Sequence, residues 1–121
     1  MRLIHGIAQV LARILLGRQM EEGAEISSVL GTEGKKHYGR LLRMIGEGKV
    51  NEAEERLFDI LETAPWTDRE KAALAISFYD SLNDRDDAFL EKAGFSRDEI
   101  MEGLEDALKV AGMEIPEYLR I

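Results

Sequence analysis

The sequence contains no cysteine, and that absence excludes a disulfide, a thiolate metal site and a cysteine nucleophile. It has only two prolines and one tryptophan among its 121 residues. No apolar run approaches the roughly 20 residues that a membrane-spanning helix requires. Net positive charge is also lacking, because 24 acidic residues outnumber 16 basic ones and leave a formal charge of −8. That balance argues against broad nucleic-acid binding, which depends on neutralising phosphates.

The sequence also lacks the short patterns that mark common catalytic and cofactor sites. His5 and His37 are the only histidines, and neither has a second ligand at metal-binding spacing. No nucleophile elbow, phosphate loop or dinucleotide fingerprint is present. A calcium loop counted from Asp84 fails, because Phe89 and Phe95 occupy the positions that need glycine and an acid. We therefore predict no enzyme activity, no cofactor and no metal.

What the chain does contain is helical periodicity, clearest in residues 37–65, HYGRLLRMIGEGKVNEAEERLFDILETAP. Apolar residues repeat at three- and four-residue spacing on either side of Gly46-Glu47-Gly48, and Pro65 ends the second run. Asn51 and Glu54 stand in capping-box positions at the start of the second helix. The pattern predicts two helices that turn back and pack through their apolar faces.

A central helix is predicted over residues 68–82. It begins at the capping box formed by Thr67 and Glu70, and its apolar residues wrap most of its circumference. Such a helix needs neighbours on several sides, so we expect the others to pack around it. Trp66, immediately before the cap, is interpreted as anchoring its loop over the core.

The segment before the last helix contains several residues that are typical of helix starts and ends. Asn83 or Asp84 is predicted to open a short helix that closes at Gly94, where glycine suits the left-handed backbone. Ser96 and Glu99 form the next capping box and start the last helix. The turn between these two helices resembles a DNA-binding helix-turn-helix in shape. The second helix is too acidic to lie among phosphates, so we do not predict DNA binding.

The most hydrophobic segment is residues 2–17, RLIHGIAQVLARILLG. On a helix its apolar side chains cover roughly 180°, wider than the ~100° stripe of a one-sided surface helix. The connection that follows, residues 19–35, holds three glycines and is predicted to be mostly irregular.

Three interpretations of the N-terminal helix, residues 1–18, stay open. It packs into the core, it packs between subunits, or it lies in the plane of a membrane surface. Core packing, with the arginines of this segment paired to acids elsewhere in the chain, overlaps with contact between subunits, and the function hypothesis uses the contact between subunits. The side chains that would make this self-association contact are Leu3, Ile4, Ile7, Leu11, Ile14 and Leu15.

Residues 37–65 resemble a single tetratricopeptide repeat, a helical hairpin that ends in proline. Gly48 at the turn, Ala53 at the helix crossing and Pro65 at the end match its spacing, whereas Met44 and Leu57 replace usual aromatics. The opening MRLIHGIAQVLARILLG followed by this hairpin also resembles an uncharacterised family of small all-helical bacterial proteins, which implies no activity.

These observations predict an all-α protein of about six helices, packed as antiparallel hairpins in a single domain, residues 1–121. The function that we infer is a non-enzymatic protein-interaction or structural module in the cytoplasm. It would form a homodimer through the N-terminal helix and could bind a further protein partner, but no nucleic acid. A membrane-surface or regulatory helical module is the alternative.

Overall fold

The computed structural model describes residues 30–113, which form five α-helices and no strand. The all-α prediction is confirmed in this part of the chain, with five helices rather than about six. The predicted helix of residues 2–17 and the tail from Glu114 lie outside the described residues. The helices are α1 (Gly31–Gly46), α2 (Val50–Thr63), α3 (Asp68–Asn83), α4 (Asp87–Ala93) and α5 (Arg97–Val110).

Four of the helices form a closed set of contacts around one apolar core. The helix α1 packs against α2 and α3, and α5 packs against the same two helices. Every residue from Ala72 to Tyr79 in α3 is buried, which confirms the prediction that this helix is central. Because those eight positions pass more than twice around the helix, α3 is covered on all its sides.

Two of the three predicted capping boxes are confirmed. The Thr67 hydroxyl accepts a hydrogen bond from the Glu70 amide at 3.2 Å, and the Glu70 carboxylate accepts one from the Thr67 amide. Ser96 and Glu99 make the same reciprocal pair at the start of α5. Each box satisfies two amides that the first helical turn leaves without a partner.

Glycines in the left-handed conformation end three of the helices. Gly94 has φ 72°, its amide bonds to the Glu91 carbonyl, and the Phe95 amide bonds to the Leu90 carbonyl. This is the predicted Schellman motif, and both Leu90 and Phe95 are buried. Gly48 (φ 82°) closes α1 in the same way and so directs α2 back along it.

One predicted cap is wrong. Asn51 does not cap α2, because the helix begins at Val50 and its first turn has no side-chain cap. Val50 is fully buried, so apolar packing fixes this helix start. Glu54, the other half of the predicted box, instead accepts a hydrogen bond from the Tyr79 hydroxyl of α3.

Two predicted boundaries are also corrected. The first helix of the hairpin begins at Gly31, so residues 31–35 are helical and do not belong to the connection. Leu30 is buried at the N-cap of this helix, and a Cβ at Gly34 would lie 2.9 Å from the Leu30 Cβ, so glycine is accommodated beside Leu30 in the first turn. The helix α4 is capped by Asp86, whereas Asn83 is the last residue of α3.

Candidate interaction surface

The side chains predicted for self-association are Leu3, Ile4, Ile7, Leu11, Ile14 and Leu15, and all six lie outside the described residues. The structure therefore neither brings them together nor separates them. The described part of the chain offers other places where side chains converge. They are a groove between α1 and α2, a half-buried acid under α5, and an arginine at the joint of α3, α4 and α5.

A groove of about 360 Å³ runs between α1 and α2. Leu41 and Ile60 are buried at its base, and Met44 is half-buried beside them. The His37 ring lies at one end, tilted against the Trp66 ring with a centroid separation of 5.6 Å. The groove is thus an apolar trough, two helical turns long on α1, with an aromatic pair at one end.

Three arginines stand around this trough. Arg40 and Arg43 come from α1 and Arg56 comes from α2, and all three are exposed. Among residues 30–113, no ion pair joins any of them to an acid. The guanidinium donors at the groove are therefore available to an incoming carboxylate or other anion.

The cationic character of α1 contrasts with the other described helices. It carries four basic residues and one acid, whereas α2 carries five acids and one basic residue. The helix α5 carries five acids and two basic residues. Positive charge is thus concentrated on one helix of a chain whose formal charge is −8.

Glu54 is a half-buried acid in the contact between α2, α3 and α5. Its carboxylate accepts a hydrogen bond of 2.6 Å from the Tyr79 hydroxyl. Burial raises the pKa of Glu54, the Tyr79 hydrogen bond lowers it, and the neighbouring carboxylates Glu99 and Asp106 raise it, with a net increase. Burial also raises the pKa of Tyr79, so this hydroxyl stays a donor at physiological pH.

Gly103 brings the backbone of α5 directly over this pair. A Cβ at that position would lie 2.5 Å from Glu54 Oε2 and 2.6 Å from the Tyr79 hydroxyl. These separations are too short for non-bonded atoms, so only glycine lets α5 approach the pair this closely. Gly103 therefore has a packing role.

Arg97 joins α3, α4 and the start of α5. Its guanidinium donates to the Asn83 carbonyl at 2.8 Å, to the Arg85 carbonyl at 2.7 Å and to Asp87 Oδ1 at 2.9 Å. The Arg97 side chain is 15% exposed and Asp87 is 90% exposed. Arg97, the basic residue at the acidic start of α5, therefore stabilises the joint of α3, α4 and α5 through these hydrogen bonds.

No group of three or more histidine, cysteine, aspartate or glutamate side chains could hold a metal ion within residues 30–113. His37, for example, contacts Trp66 and not a second ligand. None of the five helices is long and apolar enough to cross a bilayer.

Sequence reasoning missed the most specific contacts at these places. Glu54 was assigned to a cap, and Gly103 gave no signal beyond its presence inside a helical pattern. A glycine in a helix interior lowers helix stability, so it indicates a close approach by a neighbour. The groove had a detectable signal, because Arg40 and Arg43 flank the apolar stripe of α1 and Arg56 flanks that of α2.

The described residues form an all-helical structure around a central helix whose residues 72–79 are all buried. The chain belongs to a family of unknown function, DUF6483, which matches residues 1–112. This match confirms the resemblance to an uncharacterised family and includes the hydrophobic N-terminal segment. Neither curated proteins nor solved structures gave a match to the chain.

Proposed function

We propose that the protein is a non-enzymatic helical interaction module that forms a homodimer through its N-terminal helix. One observation carries the proposal: within residues 30–113, Val110 is the only large hydrophobic residue that is exposed. The other large apolar side chains of those helices are buried or partly buried against their own core. The hydrophobic N-terminal segment, which lies inside the family match, is then the best candidate for apolar contact with a second copy.

The polar contacts of the described helices support the non-enzymatic part of the proposal. Glu54 and Tyr79 bond to each other beneath α5, and Arg97 bonds to carbonyls at a helix joint. Packing between helices accounts for both arrangements, although Arg97 also lines an open pocket of about 470 Å³ beside Asp87 and Glu99. A cytoplasmic location belongs to the same proposal, since the cysteine-free sequence calls for no oxidising compartment.

We also infer that α1 and α2 pack as a tetratricopeptide-like hairpin. Gly48 adopts a positive φ at the turn, Ala53 is fully buried, and Pro65 follows the second helix. These are the positions that carry the resemblance. A single hairpin of this kind does not build a repeat array, and in this protein α3 and α5 cover it instead.

The test of self-association is the molar mass of the full chain by light scattering, compared with that of an Ile7→Glu, Leu11→Glu variant. We expect a dimer for the natural sequence and a folded monomer for the variant, because buried glutamates disfavour an apolar interface. Gln9→Glu is the matched control, since it adds a negative charge on the polar face of the same segment and should remain dimeric.

Two outcomes would contradict the proposal. A monomeric natural chain would show that no homodimer forms. A variant that loses its helical circular dichroism would show that Ile7 and Leu11 belong to the core of the monomer. Co-sedimentation of the natural chain with anionic vesicles at low salt would favour the membrane-surface alternative.

A further inference from the structure

We propose that the groove between α1 and α2 binds an acidic amphipathic helix of a partner protein. This inference goes beyond self-association, because it concerns a different surface and a different partner. The residues that would make the contact are His37, Arg40, Arg43, Met44, Arg56 and Ile60.

The shape of the groove suits one helix better than an extended peptide or a small molecule. It lies between two adjacent helices, so a third helix placed along it would pack on both, as in other helix-in-groove complexes. His37 and Met44 are seven residues apart on α1, a rise of about 10 Å, or two helical turns. Two turns accommodate three apolar anchors of a partner helix at positions i, i+3 or i+4, and i+7.

The base of the groove supplies the apolar contact. Leu41 and Ile60 line the groove although they are only 1% and 6% exposed, while Met44 is half-buried and flexible enough to adjust to different side chains. His37 lines one end and is tilted against the Trp66 ring. A volume of about 360 Å³ holds a few anchoring side chains and leaves the rest of a partner helix outside.

Charge complementarity decides what kind of helix fits. Arg40, Arg43 and Arg56 surround the apolar floor, and no described acid pairs with them. Carboxylates that flank the apolar stripe of a partner would meet these guanidinium groups and form bidentate hydrogen bonds. A basic or uncharged amphipathic helix would leave the arginines crowded and unpaired.

The acids on α2 favour a protein helix over a nucleic acid or an anionic membrane. Glu52, Glu55, Asp59 and Glu62 are exposed on the helix that also carries Arg56. A duplex or a lipid surface is broad and would bring its phosphates against those acids as well. A single helix, with a diameter of about 10 Å, can place its carboxylates over the three arginines alone.

The experiment uses the full chain and a fluorescent synthetic peptide designed as a helix with leucines on one face and glutamates beside them. Its control has the same sequence with lysine in place of each glutamate. Fluorescence anisotropy should show micromolar binding of the glutamate peptide, weaker at high salt, and no saturable binding of the lysine peptide.

Matched variants locate the binding site. Arg40→Glu with Arg43→Glu should weaken binding of the glutamate peptide by on the order of tenfold or more and should allow the lysine peptide to bind. Lys35→Glu with Lys36→Glu makes the same charge change on exposed positions of the same helix, outside the groove lining. That control should weaken binding less than about threefold. Arg56→Glu tests the groove from α2 if the double variant of α1 fails to fold.

Several results would overturn the proposal. One is a failure of the glutamate peptide to saturate the protein at millimolar concentration. Another is an equal loss of peptide affinity in the groove variants and the control variant. A third is arginine-dependent binding of anionic vesicles or duplex DNA that is tighter than binding of the peptide. Light scattering on the same variants separates this inference from the homodimer, since substitutions in the groove should leave the molar mass unchanged.

Discussion

Glu54 and Arg56 lie two residues apart on α2, yet each is crowded by charges of its own sign. Glu54 points toward α5, where Glu99 and Asp106 raise its pKa. Arg56 lines the groove toward α1 with Arg40 and Arg43. Glu54 therefore lies on the side of α2 that contacts α5, whereas Arg56 lies on the side that faces the groove with α1.

The two clusters differ in exposure, and this difference indicates different roles. Glu54 is half-buried, so its charge lowers stability at neutral pH, and the Tyr79 hydroxyl and the packing of α5 hold it in place. The arginines are exposed, so solvent screens their repulsion and they cost the fold little. Glu54 is thus part of a contact between helices, whereas the arginine cluster is open to an external partner.

The largest expected effect on stability concerns the close contact of α5 with Glu54 and Tyr79. Gly103→Ala should lower the free energy of unfolding by about 1–2 kcal/mol. The added methyl group would overlap Glu54 and Tyr79, and this steric cost exceeds the stability that alanine gains over glycine in a helix. Gly39→Ala is the control, since that position is helical with open space around it, and should stabilise by about 0.5–1 kcal/mol. Urea unfolding of both variants measures the two values, and equal stabilisation would disprove the close contact.

A smaller effect is expected from removing the buried charge. Glu54→Gln keeps an acceptor for the Tyr79 hydroxyl and should stabilise the protein at pH 7 by less than about 1 kcal/mol, since solvent screens the exposed half of the side chain. The pKa of Glu54 is higher in the folded protein than its ordinary value of 4.5, so the folded state binds the carboxyl proton more tightly than the unfolded state does. The natural protein therefore loses stability as the pH rises from below 4.5 through the folded-state pKa of Glu54.

The pH dependence provides the check on Glu54. Urea unfolding between pH 4 and 8 should show the stability advantage of Glu54→Gln growing with pH and then levelling off. An advantage that is independent of pH would mean that shape, and not charge, distinguishes the two side chains.

The smallest expected effect on stability concerns the exposed arginines at the groove. Arg40→Gln with Arg43→Gln should change the free energy of unfolding by less than about 0.5 kcal/mol, and in the stabilising direction if anything, because like-charge repulsion at the surface is relieved. The same variant should bind the glutamate peptide more weakly. A clear loss of stability would show that the arginines serve the fold instead.

The sequence predicted the parts of the fold that depend on local signals. The boxes at Thr67 and Ser96, and the turns at Gly48 and Gly94, need particular residues at fixed spacing, and periodicity identified α3 as the central helix. It could not predict contacts between helices distant in the chain. From the sequence alone, Glu54 suits a helix cap as well as a hydrogen bond to Tyr79, 25 residues away. Only the packing of α5 decides which of the two forms.

The groove was only partly predictable for a related reason. The arginines beside the apolar stripes of α1 and α2 are visible in the sequence, but an ordinary solvated face has the same pattern. Their convergence on one trough depends on which sides of the two helices meet. The residues predicted for self-association remain a prediction, since the described part of the chain begins at residue 30.

The most direct test of the central claim is the absolute molar mass of the full chain, measured by light scattering beside a chain that begins at Glu21. We predict a dimer for the full chain and a folded monomer for the shorter one, because the N-terminal helix would be the assembly element. A full-length monomer whose shortened form unfolds would contradict the claim and would assign Leu3, Ile7 and Leu11 to the core.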